Sequence, residues 1–261
     1  MTLGVNIDHI ATLRQARAIN EPNPLEAIFI IKNAGAHQIT MHLREDRRHI
    51  QDDDVRAVIG AAPLPVNVEC ALDSHIIELL CALKPNRITL VPEKREEVTT
   101  EGGLNLEKNF ANIKNTLAEF HKHNIATSLF IEPDEMMIES AKELGAGAIE
   151  LHTGKYANIF LMQTTNLSRT NACIAELELP QEELNSLLDS EILFLQNAAK
   201  KAVALNLACF AGHGLNANNL APIVRIKEIS ELNIGHSIIA RAVFVGLERA
   251  IRDILEQLPT P

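Results

Sequence analysis

Five of the ten histidines in this 261-residue chain, His9, His42, His152, His213 and His236, stand at or just past the end of a short apolar run. His49 follows one such run by a few residues. Carboxylates gather at the same places: Asp8, Glu69, Glu93, Glu132 and Glu150. Imidazole and carboxylate are the side chains that take up and release protons near neutral pH. Glu69 closes the run Val66-Asn67-Val68-Glu69. A carboxylate placed there is either solvated at the rim, as in a structural ion pair, or partly withdrawn from water, which would raise its pKa and make it a base near neutral pH; the second reading is favoured. Glu150 precedes His152 by two residues, so on a strand both point to one face. The chemistry this set suits is proton transfer, with some members serving only to orient the others.

A second pattern suits anions. Ala211-Gly212-His213-Gly214 and Ile234-Gly235-His236-Ser237 each follow an apolar run and precede a helical pattern. Glycines there let ligand oxygens approach backbone N–H groups closely. The cluster Arg44-Glu45-Asp46-Arg47-Arg48-His49 is a further anion candidate, because guanidinium forks match phosphate oxygens. A mixed charge run is usually just a solvated loop, so on its own this signal is weak. Taken together, the two features suggest a substrate, or a pair of substrates, carrying two phosphates. The 92–103 loop has Thr99, Thr100 and the pair Gly102-Gly103, and reads either as a lid or as an ordinary long βα loop. Zinc is the less favoured reading, because the histidines are spread singly with no His-x-His on the first strand.

Positioning such residues at strand ends calls for a particular fold. Short apolar runs alternate with amphipathic segments throughout, the pattern of βαβ units. The runs begin at Leu3, Gln38, Val66, Arg87, Ala126, Ala148, Leu207 and Leu232. Helix signals lie between them: Asn23 caps a helix with Pro24 at its first position and Gly35 at its end, while Asp73 and Asp134 cap two others. A single helix from Ile238 to Leu258 closes the chain. Eight strand–helix units predict one (β/α)8 TIM barrel over 1–261, with extra helices and an insertion at about 155–180. The active site then lies at the C-terminal ends of the strands, and the two Gly-His loops follow strands 7 and 8, where such barrels most often bind phosphate. An open doubly wound sheet is the alternative, but no G-x-G-x-x-G follows the first strand.

A net charge of −10 and a pI near 5.5 argue against nucleic acid and anionic membranes as partners. Four cysteines without a CxxC spacing predict reduced thiols, and the strand-like start leaves no room for a signal peptide. No apolar run approaches the roughly 20 residues of a membrane span. A cytoplasmic protein is expected.

Five motifs carry a resemblance. They are Gly4-Val5-Asn6-Ile7-Asp8-His9-Ile10-Ala11-Thr12-Leu13-Arg14; His42-Leu43-Arg44-Glu45-Asp46-Arg47-Arg48-His49-Ile50; Val91-Pro92-Glu93-Lys94-Arg95 with Glu97-Val98-Thr99-Thr100-Glu101-Gly102-Gly103; Ala211-Gly212-His213-Gly214-Leu215; and Glu231-Leu232-Asn233-Ile234-Gly235-His236. In this order and register they resemble the pyridoxine 5'-phosphate synthase family, from the first strand to the last helix. The resemblance implies a TIM-barrel transferase that condenses 1-deoxy-D-xylulose 5-phosphate with 3-amino-2-oxopropyl phosphate. It implies no metal or organic cofactor, and a homo-octamer built from dimers. His42 and Glu69 would accept protons, His213 would donate one, and Glu150 would stabilise a charged transition state. Asn6, Arg17, Gly214, Gly235 and His236 would bind the amino-oxopropyl phosphate. Asp8, His9, Arg44, His49 and Thr99 would bind the deoxyxylulose phosphate. The chain departs from the family pattern at Phe210, where asparagine is usual, and at 158–179, which looks inserted.

Overall fold

The eight apolar runs fold as parallel strands, hydrogen-bonded in chain order and closed by β8 on β1. The computed structural model describes residues 1–93 and 102–259. Its strands are β1 (Thr2–Asn6), β2 (Gln38–His42), β3 (Val66–Cys70), β4 (Arg87–Leu90), β5 (Ala126–Ile131), β6 (Ala148–His152), β7 (Ala208–Gly212) and β8 (Ile229–Ile234). Between and after them lie α1 (Asp8–Gln15), α2 (Pro24–Ala34), α3 (Asp52–Ala61), α4 (Ser74–Leu83), α5 (Phe110–Lys122), α6 (Glu135–Leu144), α7 (Gly154–Thr164), α8 (Gln181–Ala204), α9 (Leu220–Ile223), α10 (His236–Val245) and α11 (Leu247–Leu255). The fold is a TIM barrel, as the count of runs predicts.

The strand runs prove to alternate. Leu3 and Val5, Ile39 and Met41, Val66 and Val68, Ile149 and Leu151, and Leu232 and Ile234 belong to the core under the helices. Each such side chain contributes about 1.5–3 kcal/mol by leaving water. The residues between them point into the barrel and meet across it. Gln38 Nε2 lies 3.1 Å from Glu231 Oε1, Thr40 Oγ1 donates to Asn233 Oδ1 at 3.0 Å, and Thr89 Oγ1 donates to Asn67 Oδ1 at 2.9 Å. Barrel interiors are more often filled by Val, Ile and Leu. This one is lined by polar groups that pair with one another because water cannot reach them, while Asn67 Nδ2 and Ser128 Oγ are buried without a partner among the described residues.

Several boundaries differ from the sequence reading. Asp8 and His9 do not extend the first strand; they open α1. The Asp8 N–H donates to the Asn6 side chain at 2.9 Å, a local turn that ends the ladder. Helix α5 starts only at Phe110, because Leu104 N–H donates to Phe130 O and draws the stretch before it along β5. After β7 the helix α9 is a single turn, since Ile226 N–H donates to Ile223 O and Ile229 N–H to Ile226 O in tight turns after it. The single closing helix is two: Gly246 at φ +82° breaks it between α10 and α11. The hard-to-read stretch after Gly154 holds α7 and two short 3-10 turns, Leu167–Arg169 and Ala175–Leu177. No helix of the described residues is long and apolar enough to cross a membrane.

Candidate active site

The C-terminal ends of β1, β2 and β3 bring Asp8, His42 and Glu69 together. Asp8 Oδ1 accepts the His42 backbone N–H at 2.8 Å, so the loop after β1 is fastened to the last residue of β2. His42 Nδ1 is 4.0 Å from Glu69 Oε2, and its Nε2 is 2.8 Å from Glu93 Oε1. The imidazole therefore stands between two carboxylates that differ in character. Burial pushes Glu69 well above the ordinary carboxylate range, and the nearby Glu150 and Asp8 charges add to it. Burial also raises Glu93, but the hydrogen bond and charge of His42 outweigh it and hold Glu93 low. Glu93 thus stays ionised and orients the ring, while Glu69 is the group poised to exchange a proton. Burial lifts Asp8 as well, to about 6, against the pull of His42.

Glu150 rises from β6 into the same space, 3% exposed. Its Oε2 accepts from Asn233 Nδ2 at 2.9 Å. Burial lifts it to about 7, opposed chiefly by the Arg87 guanidinium. On the far side, His152 of β6 lies 3.0 Å from Glu132 Oε1, and its ring meets His213 edge-on with centroids 5.0 Å apart. His213 follows β7 in a left-handed backbone conformation, φ +78°, with Gly214 at +75°. For a bulky residue that conformation is strained, and such strain gathers at functional sites. The Thr153 hydroxyl holds it by bridging Gly212 O at 2.7 Å and His213 O at 2.6 Å. Crowding by protein, with His152 alongside, lowers the pKa of His213.

The two Gly-His loops lie side by side. Ser237 Oγ donates to Leu215 O at 2.7 Å, and the buried Asn219 donates to Gly214 O at 3.0 Å. Gly235 precedes α10 and abuts Asn6, whose Cβ would lie 2.8 Å from an added methyl. His236 packs edge-on against His9 at 4.9 Å. His9 Nδ1 is buried without a hydrogen-bond partner among the described residues, a costly state for a polar atom unless a ligand engages it. Burial, then the His236 charge, lowers the His9 pKa.

Only one arginine of the basic cluster turns to the site. Arg48 is taken by Asp46 and Arg47 by Asp52, whereas Arg44 reaches Glu93 Oε2 at 3.6 Å. His49 Nδ1 accepts the Ile50 N–H at 2.9 Å, which leaves the proton of the neutral ring on Nε2 as a donor. Burial, then the positive charges of His42 and Arg44, lowers its pKa to about 4, so it is neutral at physiological pH. Arg17 stands exposed in the turn after α1 and does not join the cluster. Its neighbour Arg14 is bound by a two-pronged pair to Asp54, both contacts 2.7 Å, which ties α1 to α3. Thr99 and most of the 92–103 loop lie outside the described residues.

Glu93, Asn233 and Thr153 are missing from the candidate set read from the sequence, although Glu93 was noted at the mouth. Glu93→Gln keeps the size and one hydrogen bond but removes the charge facing His42. The expected result is about a tenfold lower kcat with KM little changed, one order short of losing a base outright. Steady-state kinetics check it, and unchanged kcat would show that His42 needs no such partner.

Asp8, His42 and Glu69 each offer one ligand atom within 4.8 Å of the others, so a cation is geometrically possible there. It would compete with the backbone bond already made by Asp8 and with the protons that burial favours on both acids.

Solved structures of similar shape show how widely the fold is shared. Phosphoribosyl anthranilate isomerase from Thermus thermophilus matches with a TM-score of 0.57 at 11% identity, covering 98% of each chain. Tryptophan synthase from M. tuberculosis matches at 0.60 with 10% identity, over 99% of this chain and 92% of that one. They speak for the fold alone. Curated relatives are far nearer. The pyridoxine 5'-phosphate synthase of Helicobacter hepaticus is 59% identical over 260 residues, 98% of this chain and 97% of its own. That of Wolinella succinogenes is 57% identical over 258 residues, 99% of this chain and 98% of its own. The family model described as pyridoxal phosphate biosynthesis protein PdxJ matches residues 3–260. By that match and those identities, the chain belongs to the PdxJ family of enzymes in vitamin B6 biosynthesis.

Proposed function

We propose that the chain acts as a pyridoxine 5'-phosphate synthase, a transferase that closes the pyridine ring by condensing 1-deoxy-D-xylulose 5-phosphate with 3-amino-2-oxopropyl phosphate. Phosphate and water leave. The observation that carries this reading is the convergence of Asp8, His42, Glu69 and Glu150 at one barrel mouth, with His213 across it. An amine must add to a ketone, a phosphate and water must depart, and a carbon–carbon bond must close. Nearly every step moves a proton, and acids held near neutrality serve that need.

In this reading Glu69 and His42 accept protons, Glu93 orients His42, and His213 donates. Its lowered pKa makes His213 ready to release its proton once charged. Glu150 meets developing positive charge from the floor. The Gly-His loops, with Asn6, Gly214, Gly235 and His236, hold one phosphate. Asp8, His9, Arg44 and His49 hold the second substrate, with neutral His49 donating from Nε2. Thr99 and Arg17 keep their proposed binding roles on the resemblance alone, as does assembly into a homo-octamer. Apposing two substrates is the other contribution of the mouth.

The test is product formation by chelator-treated protein given both phosphorylated substrates. Pyridoxine 5'-phosphate appearing without added metal is the expected result. A folded protein that binds either substrate yet forms no product would overturn the reading, and activity that depends on restored metal would replace it with a metal-dependent aldolase or hydrolase.

A further inference from the structure

Phe210, the residue at odds with the family pattern, faces a feature the proposed chemistry does not use. Arg87 opens β4 with its side chain inside the barrel, only 11% exposed. Its guanidinium pairs with Glu231 on the opposite strand, with a second contact of 3.3 Å from Nη1 to Oε2. Its Nε lies 3.4 Å from Asn67 Oδ1. The Phe210 ring covers it at 4.2 Å from the ring centroid, a cation–π stack that an asparagine amide could not provide. Three side chains thus fix a buried cation inside the barrel.

What lies above it is acidic. Glu69 is two residues along β3 from Asn67 on the same face, and Glu150 pairs in register with Phe210. Asn233 joins Glu150 to Glu231, with contacts of 2.9 and 3.2 Å. The groups facing the Glu69–Glu150 pair are Asp8 after β1, His42 from β2, Arg87 from β4 and Glu231 from β8, with Glu93 and Arg44 at the rim. We infer that Arg87, clamped by Glu231 and Phe210, is a positioning residue that lets the enclosed Glu69–Glu150 pair ionise. Burial drives both glutamates toward their neutral forms, and Arg87 opposes that drive at each of them.

The inference rests on the proposed reaction only for its kinetic readout. In Arg87→Met the acid limb of kcat/KM moves up by about one pH unit, so activity near pH 7 falls about tenfold and recovers toward pH 9. The sign follows from charge: losing a cation makes the carboxylate form harder to reach. Arg87→Lys keeps the charge and leaves the limb in place. A purely structural role would instead lower the rate equally at every pH in both variants, and that outcome overturns the inference. The second readout needs no turnover. Carbon-13 NMR of protein labelled at glutamate carboxyls, assigned with Glu69→Gln, follows the Glu69 titration directly, and its midpoint rises in Arg87→Met. If that variant fails to fold because Glu231 is left unpaired, Arg87→Met/Glu231→Gln removes the stranded charge, and the Glu69 midpoint must still rise. An unmoved midpoint defeats the inference even if product forms. A raised midpoint in a protein that makes no product would defeat the proposed reaction and leave Arg87 in its role.

Discussion

Glu69→Gln is expected to fold like the parent and to lose about a thousandfold in kcat, the scale of a positioned general base. Glutamine matches glutamate in size, so the loss isolates the proton-accepting carboxylate. The side chain is 14% exposed, with His42 Nδ1 4.0 Å away and the acids Glu150 and Asp8 close by. A carboxylate enclosed this way is costly to ionise, and the amide has no such cost. The sign can be stated for stability. Because the folded-state pKa of Glu69 is raised, its carboxyl favours folding at low pH, and that contribution is lost as pH rises above the ordinary carboxylate range. The variant carries no such loss. Its melting temperature relative to the parent should therefore climb between pH 5 and 8. Turnover near that of the parent would remove Glu69 as the base, and a flat difference in melting temperature would remove its raised pKa.

The second large effect comes from a methyl group. Gly212 closes β7 with an ordinary backbone conformation, so alanine is barred only by space. Its added carbon would lie 2.1 Å from Glu150 Oε1 and 3.1 Å from Asn233 O. Glu150 cannot simply retreat, because Asn233 holds its other oxygen and the pocket is closed. Gly212→Ala should cost about 1–3 kcal/mol of stability by overpacking. Turnover should fall at least about a hundredfold, since misplacing a catalytic group by about 1 Å is enough for that. A thermal melt and kcat measured on the same sample check both. Gly60 in α3 is the control, with nothing within 4 Å of an added methyl. An active, stable Gly212→Ala enzyme would mean that the Glu150 carboxylate can work from another position.

The barrel was legible because its signals are local. Asn23, Asp73 and Asp134 cap their helices through side-chain oxygens, and Gly35 and Gly145 end theirs in left-handed turns. The acids and histidines at strand ends were legible for the same reason, since in a parallel barrel every strand end reaches one mouth. Partnership across the barrel left no such trace. Glu93 meets His42 across 51 residues of sequence, and Arg87 meets Glu231 across 144. The pattern around Gly246 reads as one helix, although the helix breaks there. Arg14 and Arg17 lie three residues apart in the sequence, and only the fold shows that Arg14 is held by Asp54. In the sequence Phe210 is only a departure from the family pattern, and the guanidinium it covers is a property of the fold.

The polar lining has a consequence for how this chain can change. On the outer face of the strands each aliphatic side chain sits against helices, where another of similar volume can replace it alone. Inside, Gln38, Thr40, Glu150, Glu231 and Asn233 are joined by hydrogen bonds, and any single apolar replacement strands a donor or acceptor. Neutral drift through the interior therefore has to pass by paired steps, such as Arg87 with Glu231, while the exterior drifts one residue at a time.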